Sequence, residues 1–466
     1  MIMEARSDNV SLVFNSMSWE KALQSVYGIQ KRLFKAIYVR DLTLALKLQK
    51  VILKSSSARL VSIRYVTQLC PNRKIAGNDG VIALTFTERF TLNESLKIHY
   101  SSWKHGNFRK LSVMGKNGKI SYLKLSNLSD RCWQYLVRLA IEPAHEALFH
   151  PTNFGFRINN SLHFPQSFIF SNLCLSSFGF QKRLLELDLE SVFNSVKAPS
   201  LLKKIVAPRS IKVCLNSLIR KGFDVRFLES SKADYGLSSL LANILLSGIE
   251  DIHTCIRFGA RIIFFLKPLE NELDVLAKLK IFLLEISFTE TVYTKLVSPF
   301  QGIDFLDWHF KVNSLRECVV IPSELNYQRF LLRVKRIINN SNYGSEVKVN
   351  KLFPIVKEWL FYHQFSSLKG YRFSLFFIRK RAFKVFSKES RQDFFSSKRL
   401  LDKCFYAFDL QNFSFSKPSP FSFGYGHLIF GSSFIIINSN NSISFNEKGK
   451  IYFYCIHCGV NYFKLV

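Results

Sequence analysis

With 466 residues the chain is too long for one compact core and corresponds to about three domains at ~150 residues each. Hydrophobic residues make up 48%, which excludes disorder as the default state. Lys and Arg number 65 against 34 Asp and Glu, a formal charge of +31. A polyanion would neutralise that excess; an ordinary enzyme acting on small acidic substrates would not need it.

Phe is abundant at 46 residues, while Gly at 20 and Pro at 12 are scarce. This is the bias of an AT-rich genome and points to an organelle gene. Met1 to Ser18 carry one Arg, Arg6, and no continuous apolar core, so they resemble neither a signal nor a transit peptide. Apolar stretches such as Leu240 to Leu246 and Phe434 to Ile437 fall short of the ~18 residues that would span a bilayer, so no membrane partner is expected. The nine cysteines are mostly scattered singly and read as reduced core residues.

From about Trp19 to Leu53 the periodicity is helical. Leu23, Val26, Gln30, Leu33 and Ile37 form one stripe, with Lys31, Lys35 and Arg40 off it. Asp41 is placed to cap a second helix carrying Leu42, Ala45, Leu46, Leu48 and Ile52. Two short helices with a basic outer face suit docking on RNA; an ordinary helical hairpin has equal claim. Gly115-Lys116-Asn117-Gly118 looks like a hairpin turn between short strands. Asp130 then opens a helix with Cys132, Leu136, Leu139 and Ala140 near one face, and Pro143 and Pro151 are expected to break the chain around an acidic turn.

Between Leu184 and Phe265 strand-like and helix-like pieces alternate, which predicts an α+β core: a central sheet with helices on one side. Asn326 to Phe405 reads as helical and basic, with 18 Lys and Arg against 5 Asp and Glu, a balance of +13. Here aromatics interleave with cations: Tyr327, Arg329, Phe330, Arg333, Lys335, Arg336. Cations neutralise phosphates and aromatics stack on unpaired bases, the combination that suits structured RNA. The bland alternative is a core of aromatics under a solvated basic face. The tail from Tyr406 has β or loop character and holds Cys455-Ile456-His457-Cys458. A structural zinc needs four ligands, and only Cys455, Cys458 and His457 are near one another, so no metal and no cofactor is expected.

The order of these pieces resembles the group II intron-encoded reverse transcriptase/maturase family over about Trp19 to Phe405. Leu48-Gln49-Lys50, Ser57-Ala58-Arg59 and Ile63 to Gln68 look like its N-terminal extension, and Gly77-Asn78-Asp79-Gly80 like its Gly-Val-Asp-Gly turn. Asp130-Arg131, Gln134, Glu142-Pro143 and Glu146 are similar to its fingers-to-palm helix, and Asn153 to Arg157 to its Ser-Tyr-Gly-Phe-Arg. Leu240 to Ile244 resembles the palm helix and Gly302 to Leu306 the start of the thumb. Leu352 to Phe365 and Lys403-Cys404-Phe405 resemble pieces of the maturase domain. The resemblance implies a right-hand polymerase fold: residues 1–100 as N-terminal extension and start of fingers, 101–320 as degenerate fingers and palm, 321–405 as helical thumb and maturase domain, 406–466 as tail.

The departures bear on chemistry. Polymerisation needs carboxylates converging on paired Mg²⁺ ions. Asp188 is one, but the family's Tyr-Ala-Asp-Asp aligns with Phe258-Gly259-Ala260-Arg261, and its Phe-Asp with Phe193-Asn194. Its Pro-Gln-Gly is Lys232-Ala233-Asp234 here, and its Arg-Pro is Ser121-Tyr122. The expectation is a palm kept as scaffold, with Asp188 a leftover cap or solvent-facing residue and Arg261 where a metal would sit. A working RNA-dependent DNA polymerase would need a further carboxylate, for which Glu250 and Asp251 are the nearest; a degenerate product with no folded function is the other alternative. The resemblance implies a splicing maturase that binds structured intron RNA, with other splicing factors as further candidate partners, in a plastid or alternatively a mitochondrion. The expected RNA contacts are Lys31, Lys35 and Arg64; Arg329, Arg333, Lys335 and Arg336; and Arg379, Lys380 and Arg381.

Overall fold

The computed structural model describes residues 11–70, 73–114, 120–157, 163–227, 237–289, 292–390 and 393–405, with the strand segments 434–435, 450–455 and 461–465. Helices α1 (Trp19–Tyr38) and α2 (Leu42–Lys54) form the expected hairpin, and Asp41 caps α2 by accepting the Leu44 N–H. Val26, Ile29, Leu33 and Ile37 are the buried stripe of α1, whereas Leu23 faces solvent. α3 (Ser56–Arg64) and α4 (Phe86–His99) follow, α4 opened by a capping box between Thr85 and Glu88. Strands β1 (Arg109–Met114) and β2 (Ile120–Leu125) pair antiparallel; the Gly115–Gly118 turn lies outside the described residues.

Helix α5 (Leu128–Glu146) departs from the expectation at both ends. Asn127, not Asp130, stands at its N-cap, and the helix runs through Pro143 to Glu146 instead of breaking there. Proline has no N–H, so the Leu139 carbonyl four residues earlier loses its helical partner. The Gln30 side chain of α1 supplies one, its Nε2 donating to Leu139 O at 2.9 Å. The polar residue within the α1 stripe therefore has a role that periodicity does not convey.

α6 (His163–Leu173) leads to β3 (Arg183–Asp188), α7 (Ala198–Lys204), α8 (Arg209–Arg220), α9 (Leu237–Leu246), β4 (Cys255–Phe258), β5 (Arg261–Leu266), α10 (Glu272–Glu285) and β6 (Tyr293–Val297). The four strands make one antiparallel sheet in the order β4-β5-β3-β6. The expectation of helices on one side was incomplete. Leu185, Leu187, Ile262 and Phe264 pack into the main core with α5 and α9, while Leu184, Ile263 and Phe265 pack with α6 and a second sheet. The unbroken apolar run Ile262 to Leu266 is what a strand covered on both faces requires.

That second sheet is a meander of β7 (Ile303–Phe305), β8 (Trp308–Val312) and β9 (Cys318–Pro322). After it come α11 (Glu324–Ile338), α12 (Ser345–Tyr362), α13 (Arg372–Ser390) and α14 (Phe394–Phe405), with their own core of Val334, Leu352, Trp359, Ala382, Phe386 and Phe405. The helices dock on the meander: Tyr362 stacks on buried Trp308 at 4.5 Å, and Tyr371 donates its hydroxyl proton to Pro322 O at 2.9 Å. In the tail, β10 (Phe434–Ile435), β11 (Lys450–Cys455) and β12 (Asn461–Leu465) pair antiparallel.

Two measurements test this packing. Gln30→Met should destabilise the fold by about 1 kcal/mol in urea denaturation, because the Leu139 carbonyl loses its donor. Pro143→Ala in that background should recover most of the loss by restoring a backbone N–H; no recovery would mean the Gln30 contact is incidental.

Burial pushes His145 and His363 down to about 3, helped by Lys212 and His163 respectively, and lowers His163 as well. These rings stay neutral in the fold but protonate in the unfolded chain below about 6.5, so their contribution is complete above that pH and is lost as pH falls towards 3. The denaturation midpoint should drop between pH 7.5 and pH 5, and His363→Gln should flatten that dependence.

Candidate nucleic-acid interface and the hairpin beside Asp188

Asp188 ends β3 opposite Arg261 of β5, whose hairpin with β4 turns through Gly259 (φ 63°) and Ala260. Its Oδ1 accepts the Glu190 N–H at 2.9 Å and so satisfies the first donor of the 3-10 segment Glu190–Ser195. Arg261 lies 2.6 Å from Glu186 Oε1, donates to the Asp304 carbonyl at 3.0 Å and covers the Phe305 ring. Glu186 is two residues before Asp188 and therefore on the same face of the strand. A guanidinium thus neutralises the carboxylate beside Asp188, where a divalent cation would need anionic oxygen. Among the described residues no three His, Cys, Asp or Glu side chains gather as a metal site.

Of the two alternative carboxylates, Glu250 is fully engaged. It is buried against Arg257 at 2.6 Å, and its second oxygen accepts the Gly248 N–H at 3.1 Å. Asp251 is exposed. Ser121 and Tyr122 lie on β2, where the Tyr122 carbonyl accepts from Arg226. Phe193, within that 3-10 segment, packs edge-on against Phe227. Lys232-Ala233-Asp234 lies outside the described residues.

Sequence reading missed Arg257, although a cation inside an otherwise apolar strand was the available signal. Besides Glu250 it donates to Asn243 Oδ1 at 3.0 Å, and its backbone pairs with Thr152 and Phe154. Asn243 donates in turn to the Gly155 carbonyl at 2.9 Å. Gly155 sits so close to the hairpin that a Cβ would meet Gly259 N at 2.2 Å, so only glycine fits. Arg157 closes the loop on Glu146 of α5, its Nε donating at 2.9 Å. The segments Glu142 to Glu146, Asn153 to Arg157 and Leu240 to Ile244 therefore meet in one buried polar network.

The expected basic contacts separate into outward and inward sets. Lys31 and Lys35 are exposed on α1. Arg64 is not part of that face: its guanidinium lies 4.5 Å over the Trp19 ring and is half-buried. On α11, Arg333, Lys335 and Arg336 are exposed and Arg329 is 4.0 Å from Asp307. Tyr327 and Phe330 point inward, 3% and 5% exposed, because the helical core takes one face of an amphipathic helix; they are not base-stacking groups. On α13, Arg379 is 3.4 Å from Asp402, Lys380 is exposed, and Arg381 donates to Asn339 Oδ1 at 3.1 Å. That last bond brings α13 cations against the C-terminal turn of α11, where the helix dipole favours positive charge. Among the described residues, the exposed aromatics of this unit are instead Phe376, Phe377, Phe394 and Phe395, which the sequence reading did not single out. Cys455 ends β11; His457 and Cys458 lie outside the described residues.

Residues 14–96 match the family described as the N-terminal domain of reverse transcriptase. Maturase-like protein 1 of Euglena gracilis is 44% identical over 455 residues, covering 96% of this chain and 97% of the relative. The chain belongs to the maturase-like family. Maturase-like protein 1 of Euglena longa is 43% identical over 462 residues with the same coverage. Among solved structures, the maturase-like chain is similar to telomerase from Candida albicans, bound there to a fragment of telomeric RNA, at 11% identity and a TM-score of 0.31, with 67% of each chain covered.

The buried pair has a direct test. Arg257→Met should destabilise the protein by about 3–5 kcal/mol, since Glu250 would remain buried and unpaired. Arg257→Met with Glu250→Gln should be less damaging than Arg257→Met alone in equilibrium denaturation; an equal or larger loss would contradict the pairing.

Proposed function

We propose that this chain is an intron maturase without polymerase activity, an RNA-binding splicing factor that holds a group II or abbreviated group II-like intron in its active fold. The observation that carries the reading is Arg261, hydrogen-bonded to Glu186 at 2.6 Å beside Asp188, in a molecule that keeps the surrounding network of Arg257, Glu250 and Asn243. The frame is retained while the position that chemistry would need for metal carries a cation. In this reading the β3–β6 sheet is a palm, α11 to α14 are the thumb and maturase unit, and residues 1–100 are the N-terminal extension. Membership of the maturase-like family supports the splicing role, and the AT-rich composition supports a plastid.

The mechanism is coupling. Contacts made only to the folded intron stabilise that fold by mass action, and the RNA performs its own transesterification. Lys31 and Lys35 on α1 and the cations of α11 and α13 are the proposed phosphate contacts. Asp188 has no chemical role here beyond capping its turn.

Purified protein should show no template-directed DNA synthesis with Mg²⁺ or Mn²⁺, and Asp188→Asn should leave splicing support intact. Extension above a no-enzyme control that Asp188→Asn abolishes would overturn the reading. Filter binding to a structured intron domain should weaken steeply with salt, each neutralised phosphate contributing about −0.7 to −0.9 to the log–log slope. Replacing Arg379, Lys380 and Arg381 together by Ala should reduce affinity and slope. An unchanged slope would remove these residues from the interface.

A further inference from the structure

We propose that the outer face of the α13–α14 hairpin is a stacking platform for unpaired RNA bases, a refinement that rests on the maturase reading. The inner stripe of α13 is filled by Leu375, Ile378, Ala382 and Phe386. Core packing therefore does not account for Phe376 and Phe377, which are 59% and 53% exposed. On α14, Phe394 and Phe395 are 61% and 77% exposed, while Leu401, Cys404 and Phe405 face the core. Each exposed pair is followed one helical turn later by two exposed cations. Lys380 and Arg381 follow the first pair, and Lys398 and Arg399 follow the second. Residues four apart lie on the same helical face, so each ring adjoins a positive charge.

The two helices run antiparallel. Arg379 reaches Asp402 at 3.4 Å near one end, and the rings of Phe383 and Phe394 are 5.5 Å apart near the other. The Phe pairs are thus offset along the hairpin axis by about 9 Å, the rise over the six-residue interval from Phe377 to Phe383 at ~1.5 Å per residue. Each helix thus carries exposed rings next to cations, although Arg381 also donates to Asn339 of α11. Unpaired bases offer a π-face to such rings, and their phosphates answer the cations; paired bases keep their faces inside the stack. Charge selects this occupant over a second copy of the chain, which would set the same cations against one another in a unit whose balance is +13 over Asn326 to Phe405.

The test uses the full chain with a short unpaired adenosine-rich RNA carrying one 2-aminopurine, a duplex of the same sequence, and the structured intron domain. Phe394→Leu with Phe395→Leu keeps apolar bulk but removes the rings. It should weaken unpaired-RNA binding by roughly tenfold without changing the salt slope or duplex affinity, and should abolish the 2-aminopurine quenching. Lys398→Ala with Arg399→Ala should instead reduce the slope. Thermal melting checks that both variants fold. If the wild type binds unpaired and intron RNA but the Leu variant matches it, the platform is overturned and the maturase reading stands. If the wild type binds neither RNA, the maturase reading falls and the platform with it. A dimer in solution that the Leu variant dissociates would assign the patch to self-association and overturn the proposal.

Discussion

The buried pair of Arg257 and Glu250 is the constraint around which the sheet region is organised. A guanidinium sealed from water depends on the protein for its partners, and here those of Nε and Nη1 come from separate pieces of chain. Glu250 lies just before β4, Asn243 is on α9, and the Arg257 backbone pairs with the loop that leads to Gly155. Pairing one buried cation therefore ties a helix, a hairpin and a loop to one another. The close approach of Gly155 to Gly259 follows from the same arrangement, since the loop is drawn onto the hairpin tip.

The residues around Asp188 are held differently from that buried network. An Arg beside two carboxylates relieves the repulsion between them. Arg261 bridges Glu186 and the Asp304 carbonyl, tying the sheet to the neighbouring meander. The network beneath it cannot be lost so cheaply, because a single missing partner strands a buried polar group.

The helical unit divides its residues by the same logic of burial. Trp359 stacks on Phe330 at 4.3 Å and donates its indole N–H to Asn326 Oδ1 at 2.9 Å, so the aromatic payload of α11 and α12 is structural. The cations that alternate with those aromatics are forced outward by the same helical phase. What distinguishes α13 and α14 is that aromatics remain outside after the inner stripe is filled.

The sequence by itself determined the charge, the helical hairpin at the start with its Asp41 cap, the alternation of strand-like and helix-like pieces between Leu184 and Phe265, and the family resemblance. Each depends on local period, turn chemistry or collinear motifs, which are written in consecutive residues. Tertiary structure alone decided the continuation of α5 through Pro143, the inward turn of Arg64, Tyr327 and Phe330, and the partnership of Arg257 with Glu250. The reason is physical. A proline is tolerated in a helix only when a distant group such as Gln30 can serve the carbonyl it orphans, and a cation is read as surface until a partner encloses it. Period can list the candidates for a buried face, but which aromatic ends inside is settled by the space that other helices leave.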